Sequence, residues 1–288
     1  MPLEQIKKGM VGKGKSVFEG STIDEFDAEI LGVLYNIAPK KNIILARLKG
    51  KGLDQTGVIN GMSGSPVYVE GKIIGAVAYS FPFSKEAIAG ITPIGEMLAI
   101  SATQEKPSSL SAPVIPFQKS LTLDELMAIH KGFFSFQEMR NWEGQVLRPL
   151  GVPLILSGFS SRVIEKARPF FSRAGFYPLK GGSQSQVGEK PLTPSDLTLR
   201  EGDPVVVQLI GGDLDASGLG TVTYVDGNKI LAFGHQLYNL GSVDYAMAKA
   251  KVVAIVPSLE NSFKLSNTDV LVGKFSQDLS LINISEHT

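Results

Sequence analysis

The sequence contains no cysteine, which excludes disulfide bonds, a thiol nucleophile and cysteine-ligated zinc or iron–sulfur sites. Only three histidines occur in 288 residues, so there is little material for a histidine-based metal site, and we expect neither metal nor cofactor. No stretch approaches the roughly 20 consecutive apolar residues of a membrane-spanning helix. The 28 basic and 28 acidic residues balance, so the net charge favours neither nucleic acid nor an anionic membrane as a partner.

The amino terminus also lacks the pattern of a secretion signal, because residues 1–8 are polar and no apolar region follows them. Two interpretations stay open, a protein that remains inside the cell and a mature or trimmed chain, and the sequence does not separate them. The oligomeric state is equally open. With 43% hydrophobic and 19% charged residues, the chain is predicted to be globular, with one to three domains around a sizeable core.

Short β-prone runs separated by turns fill both ends of the chain and predict a mainly β fold. At the N-terminal end they lie at 16–18, 26–34, 42–48, 67–69 and 72–79, and residues 90–100 read as the end of an apolar strand that passes into a short helix. At the C-terminal end they lie at 204–210, 220–225, 229–233, 251–256 and 269–275. This rhythm is typical of small barrels, so we predict one β-barrel unit over residues 1–102 and another over 201–288.

The middle of the chain differs in composition and predicts an α/β insert over residues 103–200. Linkers rich in proline, glycine and polar residues are predicted at 103–120 and 181–194. Between them, residues 122–130 have a helical pattern with a capping-box-like start. A strand at 152–159, a helix at 162–168 and a strand at 176–179 follow.

One motif in the first segment is misleading. Residues 9–16, Gly-Met-Val-Gly-Lys-Gly-Lys-Ser, formally satisfy the phosphate-binding P-loop pattern. A P-loop follows a buried strand and opens a helix, whereas here a polar segment precedes the motif and residues 16–18 read as a strand. We therefore predict a Gly/Lys turn and no nucleotide site.

The most informative stretch is Gly61-Met62-Ser63-Gly64-Ser65-Pro66, hereafter the elbow, set between apolar strands. Ser63 is the predicted nucleophile. Gly61 allows the backbone to bend so that the Gly61 and Ser63 N–H groups point at one developing oxyanion, and Gly64 leaves the serine hydroxyl uncrowded. The competing interpretation is a tight β-turn in a barrel, in which the small residues serve only backbone geometry.

A serine nucleophile needs a base, and histidine is the usual one. His287 lies in the C-terminal tail, and His130 lies on the predicted helix of the insert, where a surface or packing role is simplest. His235 follows a buried-looking strand at a glycine, a position from which a side chain projects into a cleft. His235 is therefore the predicted base.

Three blocks resemble the SpoIVB-type serine peptidases, relatives of chymotrypsin: residues 26–30, residues 56–66 continuing through 71–77, and residues 218–224 with 233–235. The resemblance covers residues 10–100 and 203–245. It implies chymotrypsin-like barrels with Ser63 and His235 in the cleft between them, and a serine endopeptidase acting on protein or peptide substrates, with self-cleavage as an option. It also implies a location outside the cytoplasm.

Two departures from that family leave alternatives open. The family's histidine block precedes its serine block, whereas here the halves are permuted. The family's acid would fall at Leu48 or Lys49, so the acid must come from Asp54, Asp244 or Asp27, or a Ser–His dyad must act without one. The alternative function is a non-catalytic barrel protein that binds an extended peptide in the same cleft.

Overall fold

A computed structural model describes residues 1–39, 41–101, 147–173, 175–182, 194–237, 241–279 and 282–287 of the chain. The fold is mainly β, as the sequence predicts, with two sheets that are antiparallel apart from one strand pair. The predicted helix at 122–130 and most of the two predicted linkers lie outside the described residues.

The first sheet has seven strands, six of which close into a barrel. Its strands are β1 (Val11–Val17), β2 (Ile23–Ala38), β3 (Lys41–Lys49), β4 (Pro66–Val69), β5 (Lys72–Ser80), β6 (Ile88–Pro93) and the short outer strand β7 (Arg148–Pro149). The order is β4-β1-β2-β3-β6-β5-β7, and a further pairing of β4 with β5 closes the ring. Alternate residues such as Phe26, Ala28 and Ile30 on β2 point into its core, as the period of a strand requires.

Short helices complete this half of the chain. A 3-10 turn spans Leu3–Gln5, a single helical turn spans Leu53–Thr56 before the elbow, and the helix Ile94–Ser101 follows β6. The turn predicted between β4 and β5 is present at Glu70 and Gly71, both of which have left-handed φ values of 52° and 71°. The apparent P-loop at 9–16 runs into β1, which pairs with β2, so it has no phosphate-binding geometry.

The second sheet has eight strands, β8 (Val152–Ser157), β9 (Phe176–Lys180), β10 (Pro204–Ile210), β11 (Asp215–Asp226), β12 (Lys229–Ala232), β13 (Gly241–Val256), β14 (Phe263–Leu279) and β15 (Ile282–His287). The order is β10-β13-β14-β15-β12-β11-β8-β9. Pairing of β10 with β11 closes six of them into a second ring, the second barrel. Strands β13 and β14 are longer than predicted, because several register shifts in their hairpin interrupt the alternation of apolar residues.

The described part of the predicted insert extends this second sheet. Strands β8 and β9 are parallel and joined through the helix Ser161–Arg173, while β8 pairs with β11 of the second barrel. A helical turn at Pro194–Leu197 leads toward β10. Within the described ranges, no helix has the length and apolar character needed to cross a membrane.

Candidate active site

The elbow lies buried where the two barrels meet. Ser63 is only 1% exposed, and the neighbouring Asn60 is 4% exposed. Asn60 forms a parallel bridge to the start of β14: its N–H donates to Ser262 O at 2.8 Å, and Lys264 N–H donates to Asn60 O at 3.0 Å. The second barrel therefore fixes the entry to the elbow.

The two elbow glycines are required for different reasons. Both have left-handed φ values, +96° at Gly61 and +98° at Gly64, a region that favours glycine. A Cβ on Gly64 would lie 2.0 Å from Thr221 O and 2.7 Å from Phe233 N. The sequence predicted that Gly64 leaves the Ser63 hydroxyl uncrowded. In the fold, its lack of a side chain lets the backbones of the two barrels approach each other.

Two threonines on β11 hold the elbow carbonyls. Thr221 N–H donates to Ser63 O at 2.8 Å, and Thr221 Oγ1 donates to Gly61 O at 2.9 Å. Thr223 Oγ1 donates to Gly64 O at 2.7 Å. The Gly61 and Ser63 N–H groups, by contrast, have no hydrogen-bond partner among the described residues. The carbonyls are thus fixed while the two predicted oxyanion donors stay available.

The Ser63 hydroxyl faces the loop that carries the predicted base. Gly234 N–H donates to Ser63 Oγ at 3.2 Å, so the residue that precedes His235 contacts Ser63 although 171 positions of sequence separate them. Because Oγ accepts this bond, its own proton remains available for donation. No hydrogen bond joins Ser63 Oγ to the His235 ring in the described structure.

The environment of His235 defines its tautomer. The side chain is buried, with Nδ1 2.8 Å from Gln236 O. A carbonyl oxygen only accepts, so Nδ1 carries the proton and Nε2 is the basic nitrogen. Nε2 is buried and has no hydrogen-bond partner among the described residues. Burial lowers the pKa of His235, and the carbonyls of Gln236 and Leu150 act in the opposite direction.

The loop bearing His235 is strained at Phe233 and is held by Thr92 and Asp278, which the sequence did not single out. Phe233 is fully buried and has a left-handed φ of 57°, which is costly for an aromatic residue. Thr92 Oγ1 donates to Gly234 O at 2.8 Å, and Leu237 N–H donates to the buried Asp278 Oδ1 at 2.9 Å. Only Phe233 and Gly234 lie in a block that the resemblance identified.

The three candidate acids lie at the surface. Asp54 is exposed on the helical turn before the elbow, and Asp244, with a side chain 79% exposed, pairs with Lys274 at 3.4 Å. Asp27 pairs with Lys13 at 2.6 Å. None of them hydrogen-bonds to His235, whose Nδ1 partner is the Gln236 carbonyl. At the family's acid position, Leu48 is buried in the first core.

Neither of two surface cavities is lined by Ser63 or His235. One, of about 190 Å³, lies between the barrels against the residues that lead into the elbow, and is lined by residues 54–58, 80–86, 88 and 258–262. The other is lined by residues 15, 23, 25, 199–201 and 225. Across the described ranges, no group of three His, Asp or Glu residues is placed to hold a metal ion.

Comparison with known protein families addresses the first barrel and its elbow. Residues 3–98 match the SpoIVB peptidase S55 family. The match covers β1 to β6 and includes the whole elbow, which confirms the resemblance over one third of the chain. No curated protein and no solved structure matches the chain. The SpoIVB-type region thus contains Ser63, while His235, Thr221 and Thr223 lie outside the matched residues.

The matched family is a family of peptidases, so the first barrel is similar to a peptidase domain. A recognisable signal existed for Thr221 and Thr223, which lie within the block at 218–224. No local signal marked Lys264 or Asp278, because a charged residue on a strand is normally exposed.

Proposed function

We propose that this protein is a serine endopeptidase of the SpoIVB type in which Ser63 is the nucleophile and His235 the general base. The observation that carries the proposal is the state of His235. Its Nδ1–H is bonded to the Gln236 carbonyl, and its buried Nε2 has no hydrogen-bond partner among the residues that the structure describes. The loop that carries it brings Gly234 N–H to Ser63 Oγ. Buried polar atoms without a partner are uncommon in folded proteins and call for a functional explanation.

The proposed reaction uses only groups of this chain and water. The Ser63 hydroxyl proton passes to His235 Nε2 as the Oγ–carbon bond forms at the substrate carbonyl, and the Gly61 and Ser63 N–H groups stabilise the oxyanion. His235 then gives that proton to the leaving amine as the carbon–nitrogen bond breaks. Water hydrolyses the acyl-enzyme with His235 again acting as base.

A dyad is the form of this site that the geometry favours. A triad acid holds the base histidine in one tautomer and orientation. The Gln236 carbonyl supplies that constraint to His235 without a carboxylate, while Asp54 and Asp244 face solvent. A carbonyl stabilises the imidazolium less than a carboxylate would, so we expect a slow enzyme suited to few substrates, including the chain itself.

Labelling with a fluorophosphonate probe tests the nucleophile and the base. We expect the wild-type protein to be labelled on Ser63, and Ser63→Ala and His235→Ala to lose labelling by a factor of at least about 10³. His130→Ala and Ser21→Ala are matched controls and keep the wild-type rate. Mass spectrometry of the purified wild-type and Ser63→Ala proteins after incubation tests self-cleavage.

Ser63 is 1% exposed, so the residues that cover it must move before a substrate reaches its hydroxyl. Substrate in the cavity beside residues 54–58 would lie next to the elbow and between the barrels. Catalytic hydrogen bonds are often long in unliganded enzymes and tighten on binding, so the dyad is expected to form with substrate bound. If the folded wild-type protein is not labelled at any pH from 6 to 9, the proposed peptidase activity is refuted.

The burial of Ser63 favours a second candidate function, a non-catalytic protein that binds an extended peptide between the barrels. If that function is correct, the fluorophosphonate probe does not label Ser63. It would be supported by peptide binding that survives Ser63→Ala and His235→Ala unchanged.

A further inference from the structure

A lysine with no exposed surface lies directly behind the elbow. Lys264 is 0% exposed on β14, and its Nζ donates to Ser16 Oγ on β1 at 2.7 Å. Ser65 Oγ, at the far end of the elbow, donates to the same Ser16 oxygen at 3.0 Å. The Lys264 ammonium also lies 5.7 Å from the centre of the Phe18 ring. One buried cluster therefore joins both barrels and the elbow.

Lys264 contacts the elbow region at three successive points. Its backbone N–H donates to Asn60 O at 3.0 Å. A Cβ added to Gly61 would lie 3.3 Å from both Cβ and Cδ of Lys264, so the lysine stem packs against that residue. The Nζ end reaches Ser65 through Ser16. The two proposed oxyanion donors, Gly61 and Ser63, lie within the stretch from Asn60 to Ser65 that these contacts span.

Within the described ranges, the charge of Lys264 has no partner of opposite sign. Burial lowers its pKa to about 7, and no charged side chain contributes to that shift. The groups that face it are the Ser16 hydroxyl and Phe18 ring from the first barrel and the elbow with Ser65. An apolar side chain of similar length would avoid the cost of burying an amine, so a role in function explains this residue better than stability does.

We propose that Lys264 is a positioning residue of the Ser63 site, which holds the elbow and, when protonated, strengthens the Gly61 and Ser63 amides as oxyanion donors. This inference rests on the proposed peptidase function. An ammonium behind the two amides adds positive potential where negative charge develops, and its effect is large in a site without water. Loss of its proton removes that potential and leaves the contacts.

The test measures the rate of fluorophosphonate labelling of Ser63 between pH 5.5 and 9.5. In the wild type we expect the rate to rise as His235 loses its proton and to fall again above about pH 7 as Lys264 loses its own. Lys264→Met keeps the length of the stem without the charge. We expect it to label at least about tenfold more slowly near pH 7 and to lack the alkaline fall.

Lys251→Met removes an exposed lysine from β13 and is the matched control, with an unchanged profile. Ser16→Ala removes the link to Ser65 and is the second variant, expected to label about threefold to tenfold more slowly. Thermal unfolding verifies that each variant is folded.

Each outcome decides the inference. A folded Lys264→Met protein with the wild-type rate and alkaline fall would overturn it and leave the proposed function standing. If Lys264→Met does not fold, a wild-type profile in Ser16→Ala overturns it and a slower one supports it. Folded wild-type protein without labelling refutes the peptidase and this inference together.

Discussion

The two serines of the elbow lie two residues apart, and their hydroxyls have different surroundings. Ser63 Oγ accepts a hydrogen bond from the Gly234 N–H beside His235, whose Nε2 has no partner in the described part of the chain. Ser65 Oγ belongs to a bonded chain that ends at Lys264 Nζ. Both serines are buried, and both His235 and Lys264 belong to the second barrel.

The difference between the two sides indicates what each one does. A basic nitrogen without a hydrogen bond is available to take a proton, as a general base must be. A cluster whose polar groups bond to one another holds its elements in place. Chemistry is therefore expected on the Ser63 side and positioning on the Ser65 side, with Gly64 between them.

The largest expected effect comes from Gly64→Ala, which disturbs both sides at once. The new Cβ would lie 2.0 Å from Thr221 O, and φ is +98°. We expect a loss of at least about 4 kcal/mol in the free energy of unfolding, measured by urea denaturation, or no folded protein. Gly71→Ala is the control, because its φ is +71° with no atom within 4 Å of the new Cβ, and about 1 kcal/mol is expected. Equal losses in the two variants would contradict the close contact at Gly64.

A smaller effect, confined to the Ser65 side, is expected in the pH dependence of stability. The pKa of Lys264 is about 7 in the folded protein and near 10.4 in the unfolded chain, so between these values the unfolded chain binds more protons. Stability of the wild type relative to Lys264→Met should then rise with pH, by up to about 1.4 kcal/mol per pH unit. Urea denaturation at pH 6, 7, 8 and 9 measures it. A constant difference between the two proteins from pH 7 to 9 would show that Lys264 keeps its proton in the folded state.

The smallest effects are expected on the Ser63 side, from Asp54→Asn and Asp244→Asn. Both carboxylates are exposed, and the ion pair of Asp244 with Lys274 lies at the surface. We expect labelling of Ser63 to change by less than about twofold and the unfolding free energy by less than about 0.5 kcal/mol. A fall in labelling of about 10³-fold or more in either variant would identify that residue as a triad acid and replace the dyad.

Local patterns were sufficient to predict most strands of both barrels. Apolar side chains alternate or cluster, as they do in buried strands, over residues 42–48 and 72–79, and the structure has β3 and β5 there. The pattern was less informative for β13 and β14, because bulges shift the inward-facing residues. Strands β8 and β9 were predicted as part of an insert, and only the pairing of β8 with β11 showed that they extend the second sheet.

The elbow was recognisable because its chemistry is local: Gly-Met-Ser-Gly-Ser-Pro has the glycines and the serine that such a turn needs, at fixed spacing. His235 followed by elimination among three histidines. The burial of His235, and with it the lack of a partner for its Nε2 among the described residues, depends on contacts between distant segments.

The sequence by itself determined the mainly β fold, the elbow and the resemblance of its first barrel to SpoIVB-type peptidases, since strand periodicity and turn chemistry act over a few residues. Only the tertiary structure decided that Thr221, Thr223 and Lys264 surround the elbow. Those contacts are hydrogen bonds between residues more than 150 positions apart, so no local sequence pattern predicts them.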